Sequence, residues 1–415
     1  MEPLTGAAVV GQSGGPSSAI NATLSGVIRQ VLSYKDSGPV TRLYGMKNGF
    51  QGLSGGHLID LSDFFSDSAE KKLSILRQTP AAALGSCRMK LPDPSLDKPF
   101  YEKIVRFFAE MDIRYFFYIG GNDSMDTVAK LSRYLKESGS YEMRCVGIPK
   151  TIDNDLQGLD HTPGYGSAAK FVAVTVKEIV RDCSVYTTPA VTVIEIMGRD
   201  AGWLTASSAL PCLDESGPDL IYLPERPFSV ESFLDDIRNI QKQKSYVVAA
   251  VSEGLKFPDG RYVGEGKQSG STDVFGHRYL AGTAKVLEQV VKENIGCKVR
   301  SIELSLPQRC ACHVASAKDL DESGEIGAYA VRTAVSGKTG VMITNVRDSI
   351  RGSYSISLSS EDVDIAAGAI KTVPEEFINE AGNFVTEACL EYMLPLIQGE
   401  VDTVYEHGLP VHLVF

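Results

Sequence analysis

Long apolar runs are absent from this sequence of 415 residues, and their absence excludes a helix that spans a bilayer. Positive charge is also scarce: 41 Lys and Arg stand against 52 Asp and Glu, which leaves a net charge of −11. No basic tail or stripe offsets this balance, so general affinity for nucleic acid is not expected. Residues 1–5 lack the basic stretch and apolar core of a secretion signal. We therefore expect neither a membrane nor a nucleic acid as a partner.

The cysteines follow no disulfide framework. Eight of them are scattered along the chain, which is typical of a reduced, cytoplasmic setting. The one local cluster, Cys310, Cys312 and His313, lacks the second pair of ligands that a structural zinc site needs. We predict a cytoplasmic protein without a zinc centre.

What the sequence does contain is a regular alternation of strand and helix patterns. A hydrophobic content of 43% and a charged content of 22% are ordinary for a globular protein, and the length suits two or three domains. The strand-like runs are residues 7–10, 81–84, 114–119, 145–148, 191–196, 220–223, 246–251 and 302–306. The helical patterns lie at residues 20–32, 101–111, 125–137, 167–180, 278–294 and 326–335, and residues 41–60 read as a glycine-rich connection. This alternation predicts doubly wound α/β layers.

The segment with the most concentrated chemistry follows the strand-like run at 145–148. Pro149 ends strand pairing because it has no N–H to donate. The next residues are Lys150, Thr151, Ile152, Asp153, Asn154 and Asp155. One Lys and two Asp in this spacing can neutralise a phosphate, hold a hydroxyl and accept its proton. The alternative is a polar turn capped by its own side chains, the usual role of an isolated Asp-Asn-Asp segment.

Three other loops have the character of phosphate sites. Residues 11–18 connect a strand to a helix, where backbone N–H groups can reach an anion, although neither G-x-G-x-x-G nor a Walker A pattern is present. Residues 85–90 carry two cations after a strand-like run, with a solvated basic turn as the alternative. Residues 120–124 follow another strand. Residues 337–339 resemble the end of a Walker A loop, but Arg332 replaces its first Gly, so we predict a surface turn.

These segments together resemble the phosphofructokinase family, and more closely its pyrophosphate-dependent branch. The resemblance is carried, in the family's order, by Ser13-Gly14-Gly15, Gly120-Gly121-Asn122-Asp123-Ser124, Pro149-Lys150-Thr151-Ile152-Asp153-Asn154-Asp155, Met197-Gly198-Arg199 and Glu253. It extends from about residue 5 to about residue 320. It implies two doubly wound, Rossmann-like α/β domains with the active site in the cleft between them.

The resemblance also implies a division of labour along the chain. Residues 1–165, completed by part of 300–365, would bind the donor phosphate, and residues 166–299 would bind fructose 6-phosphate. Residues 366–415 would pack on the core in a role that the family does not supply. A homodimer or homotetramer is expected.

Individual roles follow from the matching positions. Asp153 looks like the base that takes the proton from the C1 hydroxyl of the sugar, in a catalytic group with Lys150, Arg88 and Asp123. The positions that match sugar-phosphate contacts are Thr151, Asp155, Met197, Gly198, Arg199, Glu253, Arg300 and Arg309, with Arg300 of the kind supplied across a subunit interface. The positions that match pyrophosphate contacts are Gly14, Gly15, Gly121 and Ser124, and those that match a Mg²⁺ site are Asn122 and Asp123.

Two positions bear on the phosphoryl donor. ATP-using relatives carry Gly where this chain has Asp123 and Lys150. A carboxylate at 123 fills the room that a nucleotide α-phosphate needs. It also repels that phosphate by about 4 kcal/mol at about 4 Å and an effective dielectric near 20, on the order of a thousandfold in affinity. We predict pyrophosphate as the donor, with ATP as the alternative.

Three departures from the family pattern leave other functions open. Asn122 stands where an Asp usually binds magnesium, so metal binding is weakened or shifts to Asp123 or Asp155. Leu306 replaces an aromatic or His sugar contact, and Ala190 replaces a subunit-crossing Arg of the ATP-dependent relatives. Asn122 makes a non-catalytic regulatory subunit a further alternative, although the intact Asp153, Asp155 and Lys150 count against it. A nicotinamide-dependent dehydrogenase is not favoured, because its glycine fingerprint is missing.

The predicted reaction is the reversible, Mg²⁺-dependent conversion of fructose 6-phosphate and pyrophosphate to fructose 1,6-bisphosphate and phosphate.

Overall fold

The computed structural model describes residues 3–34, 38–264, 282–350, 353–366 and 370–415. The strands are β1 (Gly6–Gln12), β2 (Val40–Met46), β3 (Leu58–Asp60), β4 (Ile113–Gly120), β5 (Arg144–Pro149), β6 (Ala190–Ile196), β7 (Leu220–Tyr222), β8 (Tyr246–Ser252), β9 (Lys298–Glu303), β10 (Val341–Ile350), β11 (Ser353–Asp362), β12 (Tyr405–Glu406) and β13 (Leu409–Pro410). The helices are α1 (Ile20–Tyr34), α2 (Gly49–Ser54), α3 (Leu61–Phe64), α4 (Ala69–Gln78), α5 (Lys98–Glu110), α6 (Asn122–Ser138), α7 (Tyr165–Cys183), α8 (Trp203–Ser207), α9 (Val230–Gln241), α10 (Thr283–Asn294), α11 (Ala317–Val335) and α12 (Glu387–Met393). Short 3₁₀ helices include Leu306–Arg309 and Leu394–Ile397.

The first sheet has seven strands in the order β11-β10-β5-β4-β1-β2-β3. The strands from β10 to β2 run parallel, and the two edge strands are antiparallel to their neighbours. Every residue of β1 and β5 is buried, because helices cover both faces of a parallel sheet. This explains why both strands read as continuous apolar runs.

The second sheet has four strands in the order β7-β8-β6-β9, all parallel. The central strands β6 and β8 are buried almost throughout, whereas β9 is an edge strand with alternating exposure. The predicted architecture of two doubly wound α/β sheets is confirmed. The loops that end β1, β4 and β5 line the same cleft as those that end β6, β8 and β9.

The C-terminal part of the chain contacts both sheets. The β10–β11 hairpin extends the first sheet beside β5. Val373, Ile378 and Met393 then join the apolar core under the second sheet, and Phe415 returns to pack its ring 5.0 Å from that of Phe64. Among the described helices, none is long and apolar enough to cross a membrane.

Some elements differ from the sequence prediction. Residues 41–60 are not a mere connection, since they contain β2, α2 and β3. Residues 81–84 form no strand: the side chain of Asn21 donates to the carbonyl of Ala81 and accepts from the N–H of Ala83 (2.8 and 3.0 Å). Those backbone groups are therefore unavailable to a strand ladder.

Other elements begin or end elsewhere than predicted. The strand at 302–306 stops at Glu303, because Ser305 has a left-handed φ of 44° and a 3₁₀ turn follows. Helix α11 begins well before 326, with Ser316 as its N-cap. The predicted helix at 278–294 is described from Thr283, and residues 278–281 lie outside the described residues. Residues 337–339 form a turn between α11 and β10.

Candidate active site

A cleft of about 700 Å³ lies between the carboxyl ends of the two sheets. Its lining comes from both sheets and gathers most of the predicted site residues. From the first sheet the lining includes Gly14, Gly15, Arg88, Gly121, Asn122, Asp123, Ser124, Lys150, Thr151, Asp153 and Asp155. From the second sheet and the segment after it the lining includes Met197, Arg199, Glu253, Leu306 and Arg309.

Glycine backbone flanked by cations forms one end of the cleft. Gly14 has a φ of 79°, which a residue with a side chain adopts only with strain. A Cβ atom at Gly14 would lie 3.5 Å from Nζ of Lys150, and one at Gly15 would lie 3.5 Å from Nη1 of Arg309. The Nζ of Lys150 also donates to the carbonyl of Gly15 at 2.6 Å. This end of the cleft has the chemistry of an anion site, which we call the donor end.

The loop that carries Arg88 is tied to the same glycines. The N–H of Gly14 donates to the carbonyl of Cys87 at 3.2 Å, and Oγ of Ser86 donates to the carbonyl of Gly14 at 2.6 Å. The N–H of Leu84 donates to Oε1 of Gln12, at the end of β1 (2.9 Å). Hydrogen bonds to β1 and its loop, rather than strand pairing, therefore place Arg88 at the donor end.

Helix α6 begins earlier than the sequence predicts, at Asn122. Asn122, Asp123 and Ser124 therefore form its first turn, where the partial positive charge of the helix favours anions. Gly120 is required before it, because a Cβ atom there would lie 1.9 Å from Oγ of Ser124. Oδ1 of Asn122 is buried and has no hydrogen-bond partner among the described residues. An amide oxygen is thus left available in the cleft.

Asp123 lies at the donor end, where its negative charge is paired with a lysine. Its Oδ1 is 3.2 Å from Nζ of Lys90, and both side chains are partly exposed. Lys90 therefore offsets part of the repulsion that a second phosphate would meet, and the value of about 4 kcal/mol for an isolated carboxylate is too large. The space that the Asp123 side chain occupies is unaffected.

The loop after β5 divides its tasks between capping and chemistry. Asn154 is buried in a left-handed conformation (φ 55°), and its Oδ1 accepts from the N–H of Thr162 at 3.0 Å. Oγ1 of Thr151 accepts from the N–H of Asp153 (3.1 Å) and donates to its Oδ2 (3.2 Å). Asn154 and Thr151 thus act as expected for the alternative given above, a polar turn capped by its own side chains. The carboxylates of Asp153 and Asp155 line the cleft.

Burial sets the protonation chemistry of this loop. It raises the pKa of Asp153, against the hydrogen bond from Thr151 and the charge of Lys150. Burial and then the nearby charge of Asp153 raise the pKa of Asp155 to about 7. Burial also lowers the pKa of Lys150 to about 8, although Asp153 and Asp155 oppose this change. The loop therefore combines a carboxylate that is more basic than usual with a cation that titrates near neutrality.

The loops of the second sheet form the other end of the cleft, which we call the acceptor end. Gly198 has a φ of 129°, and a Cβ atom there would lie 2.5 Å from the carbonyl of Ala201. Its N–H donates to Oε1 of Glu253 at 3.2 Å, and burial raises the pKa of Glu253 to about 7. Nε of Arg199 is buried without a hydrogen-bond partner in the described parts of the chain. A guanidinium with an unsatisfied Nε and a carboxyl of raised pKa thus lie close together.

Several polar residues of the acceptor end were missed by the sequence analysis. Glu195, Asp200, Glu303, Ser305 and Gln308 also line the cleft. Glu195 accepts from the N–H groups of Gly282 and Ala284 at the start of α10 (3.3 and 2.8 Å). A charged residue inside the apolar strand 191–196 was a signal that could have revealed Glu195. The other four gave no comparable signal.

Two predicted residues do not line the cleft. Gly198 supports it through its backbone. Arg300 lies on the edge strand β9, with Nη1 3.9 Å from Oδ2 of Asp182, and it is exposed. The contact expected of Arg300 across a subunit interface therefore stays a prediction.

Comparison with known proteins fits this geometry. The family profile described as phosphofructokinase matches residues 7–334. The chain belongs to the phosphofructokinase family. It is 39% identical over 402 residues to the pyrophosphate–fructose 6-phosphate 1-phosphotransferase of Methylococcus capsulatus, and 37% identical over 404 residues to that of Halomonas elongata. Each alignment covers 96% of this chain and 93% of the relative.

A solved structure of a phosphofructokinase family member extends the comparison to three dimensions. The pyrophosphate-dependent phosphofructokinase from Nitrosospira multiformis superposes with a TM-score of 0.87 at 35% identity, covering 99% of this chain and 96% of that one. The resemblance carried by the sequence motifs is thus confirmed along nearly the whole chain, including the C-terminal residues that contributed little to it.

Proposed function

We propose that this chain transfers a phosphoryl group from pyrophosphate to the C1 hydroxyl of fructose 6-phosphate. The products are fructose 1,6-bisphosphate and phosphate, and the reaction is reversible. One observation carries the proposal: a single cleft joins an oriented carboxylate, Asp153, to a glycine-lined anion site flanked by Lys150. The names of the relatives above support it.

Pyrophosphate binds at the donor end. Lys150 and Arg88 supply positive charge, and Gly14, Gly15, Gly121 and Ser124 let the anion approach the backbone. The first turn of α6 adds its partial positive charge. Because these groups are fixed before the donor arrives, little reorganisation is needed as charge develops on the transferred group.

Fructose 6-phosphate binds at the acceptor end. Arg199 and Arg309 attract its phosphate, and Glu253 accepts a hydrogen bond from a sugar hydroxyl. The backbone at Met197 and Gly198, with Thr151 and Asp155, orients the sugar toward Asp153. Arg300 acts from a second subunit, so the working form is a homodimer or homotetramer.

Asp153 accepts the proton in the chemical step. The C1 oxygen forms a bond to the nearer phosphorus of pyrophosphate while the bond from that phosphorus to the bridging oxygen breaks. The proton of the C1 hydroxyl passes to Asp153, and phosphate leaves with the bridging oxygen. The raised pKa of Asp153 suits a base that takes a proton late, and Thr151 fixes its orientation. Lys150 and Arg88 stabilise the charge on the transferred group.

Magnesium fits the donor end as a partner of pyrophosphate. Oδ1 of Asn122 is a buried amide oxygen without a partner among the described residues, and oxygen ligands of this kind suit Mg²⁺. No group of three acidic, His or Cys side chains in the described chain is arranged to hold a metal. We assign Asn122 and Asp123 as the residues that would hold it. Bound there, Mg²⁺ would neutralise charge on the phosphates.

The domain roles and the location of the protein belong to the same proposal. Residues 1–165, completed by part of 300–365, serve the donor, and residues 166–299 serve the sugar. The described part of residues 366–415 packs on the core. All eight cysteines are free thiols, which supports a cytoplasmic location.

One assay tests the proposal. Purified protein is mixed with fructose 6-phosphate and Mg²⁺, and fructose 1,6-bisphosphate is measured with pyrophosphate or with ATP as donor. We expect turnover with pyrophosphate and about a hundredfold lower kcat/KM with ATP, since Lys90 leaves only part of the repulsion and the steric block remains. Equal use of ATP would refute the donor assignment. No turnover with either donor would favour the regulatory-subunit alternative.

A further inference from the structure

The C-terminal segment lies directly behind the loop that carries Asp153. The N–H of Lys371 donates to the carbonyl of Asp155 at 2.8 Å, and its Nζ donates to the carbonyl of Leu159 at 3.0 Å. Nε1 of Trp203, from the second sheet, donates to the carbonyl of Lys371 at 2.9 Å. The loop is therefore supported by residues more than two hundred positions away in the sequence.

Tyr392 in α12 makes the most direct contact with the turn inside this loop. Its hydroxyl accepts a hydrogen bond from Nδ2 of Asn154 at 2.9 Å and donates to the carbonyl of Asp160 at 2.6 Å. One phenol oxygen thus joins the two sides of the loop. Because Oδ1 of Asn154 is already bound by the N–H of Thr162, Tyr392 gives the other end of this buried amide its partner.

The ring of Tyr392 is itself held in place. Its centroid lies 5.1 Å from that of Trp203 and 5.7 Å from that of Phe377. The guanidinium of Arg347 lies over the ring of Tyr392, 4.6 Å from its centroid. A side chain packed among two aromatic rings and a guanidinium has little freedom, so its hydroxyl is a fixed point for the loop.

We propose that Tyr392 is a positioning residue for Asp153, acting through Asn154. Asn154 stands between Asp153 and Asp155 in a left-handed conformation that few residues tolerate. Its amide is held at both ends, which fixes that conformation and with it the direction of the two carboxylates. Without the Tyr392 hydroxyl, Nδ2 of Asn154 is buried and unsatisfied, so the turn relaxes. The inference rests on the proposed function, because its catalytic consequence is measured on that reaction.

The test compares Tyr392→Phe with Tyr222→Phe. Tyr222 is the control: its side chain is buried, whereas that of Tyr392 is partly buried, and its hydroxyl donates to Asp236 at 2.6 Å, away from the loop. We expect Tyr392→Phe to lower kcat about tenfold to a hundredfold, because small misplacement of reacting groups is costly. The KM values for both substrates should stay within about threefold, and Tyr222→Phe should keep the parental kcat. If the loss came only from removing a tyrosine hydroxyl from the structure, kcat would fall alike in both variants.

A second variant tests the route through Asn154. Asn154→Gly allows the left-handed conformation but lacks the amide. If Tyr392 acts through that amide, the double variant has the same kcat as Asn154→Gly alone. Additive losses in the double variant would overturn the route. If Tyr392→Phe does not fold, Asn154→Gly alone still tests the inference, because a parental kcat in that variant would overturn it.

Hydrogen exchange tests the inference without relying on the reaction. The N–H groups of Asp153 and Thr162 both donate within the loop, and we expect them to exchange at least about tenfold faster in Tyr392→Phe than in Tyr222→Phe. Parental exchange rates, or a parental kcat in Tyr392→Phe, would overturn the inference. If the unmodified protein shows no pyrophosphate-dependent turnover, the proposed function fails and the exchange result alone decides the role of Tyr392.

Discussion

The two ends of the cleft are built from different chemical groups, because the molecules that they bind differ. The donor end is built from glycine backbone, a helix N-terminus and a buried lysine. The acceptor end is built from side chains, with Glu195, Glu253 and Glu303 beside Arg199. Pyrophosphate offers only charged oxygens, so N–H groups and cations suffice to bind it. A sugar phosphate also offers hydroxyl groups, which need carboxylates and a greater variety of partners.

Burial affects the two ends in opposite directions. It lowers the pKa of Lys150 at the donor end to about 8 and raises the pKa of Glu253 at the acceptor end to about 7. In each case the dry environment disfavours the charged form. Both groups therefore titrate close to neutral pH, and a pH series can report on each end separately.

The largest expected effect is at Asp153, where the two ends meet. Asp153→Asn removes the proton acceptor while keeping the size of the side chain. We expect kcat to fall by about a thousandfold, because general-base catalysis contributes about 10² to 10⁴. Calorimetry should show the binding of both substrates changed by less than about tenfold.

A matched control for Asp153→Asn is Asp259→Asn. Asp259 is exposed and pairs only locally with Arg261 among the described residues, so the same chemical change should leave kcat unaltered. If Asp153→Asn retained more than about a tenth of the parental kcat, Asp153 would not be the base.

The donor end is tested next through Lys150. Its pKa is lowered, so the free protein loses this charge as the pH rises through about 8. We expect kcat/KM for pyrophosphate to fall by about tenfold per pH unit above that value, as for one essential protonated group. Lys150→Met should lower kcat/KM about a hundredfold at pH 7, consistent with a charged hydrogen bond worth about 1.5–3 kcal/mol.

Lys150→Arg sharpens the pH experiment, because a guanidinium does not lose its proton in this range. Its kcat/KM should be lower than the parental value at pH 7 but should lack the decline above pH 8. If the decline persisted in Lys150→Arg, another group would be responsible, and the role of Lys150 as the titrating cation would be wrong.

The two ends also differ in how far they could be predicted from sequence. At the donor end the loops that carry Gly14, Ser124 and Lys150 directly follow apolar strands, so these residues stand out locally. At the acceptor end Gln308 and Ser305 lie after an edge strand, and only the fold brings them to the cleft. The N–H of Met197 reaches Oε1 of Gln308 across a hundred residues of chain (3.1 Å). Contacts of this kind depend on tertiary packing, which local patterns do not encode.

The side chains that hold the loops in place were harder still to predict. The alanines at 81–84 resemble a strand, yet the side chain of Asn21 holds that segment as a loop. The support of Asn154 by Tyr392 joins residues that no motif connects. The start of α6 at Asn122 was missed because Asn and Asp usually precede a helix. Most residues that line the cleft could thus be predicted from the sequence, whereas the groups that hold them in place could not.

A smaller effect is expected from Asp123→Gly, which changes the choice of donor. It clears space at the donor end and removes the partner of Lys90. We expect kcat/KM with ATP to rise about tenfold and that with pyrophosphate to fall severalfold, from the part of the repulsion that Lys90 leaves unscreened. Asp126→Gly is the control, because it places the same helix-weakening residue in α6. An equal response of ATP use in both variants would contradict the role of Asp123.

The smallest expected effect is at the acceptor end, in Glu253→Gln. The amide oxygen of Gln can still accept from the N–H of Gly198, so the loop keeps its shape. The pKa of Glu253 is raised to about 7, so its negative charge is present above that pH and is lost as the pH falls. KM for fructose 6-phosphate should therefore rise severalfold between pH 8 and pH 6 in the parental protein.

In Glu253→Gln that rise in KM should disappear, while kcat at pH 8 stays within about twofold, because a neutral acceptor loses only the charged part of one hydrogen bond. Asp155 provides the competing explanation, since its pKa is also raised to about 7. If the pH dependence of KM survived in Glu253→Gln and vanished in Asp155→Asn, the titrating carboxyl would lie on the loop of the first sheet. The pH-dependent part of sugar recognition would then depend on Asp155 rather than on Glu253.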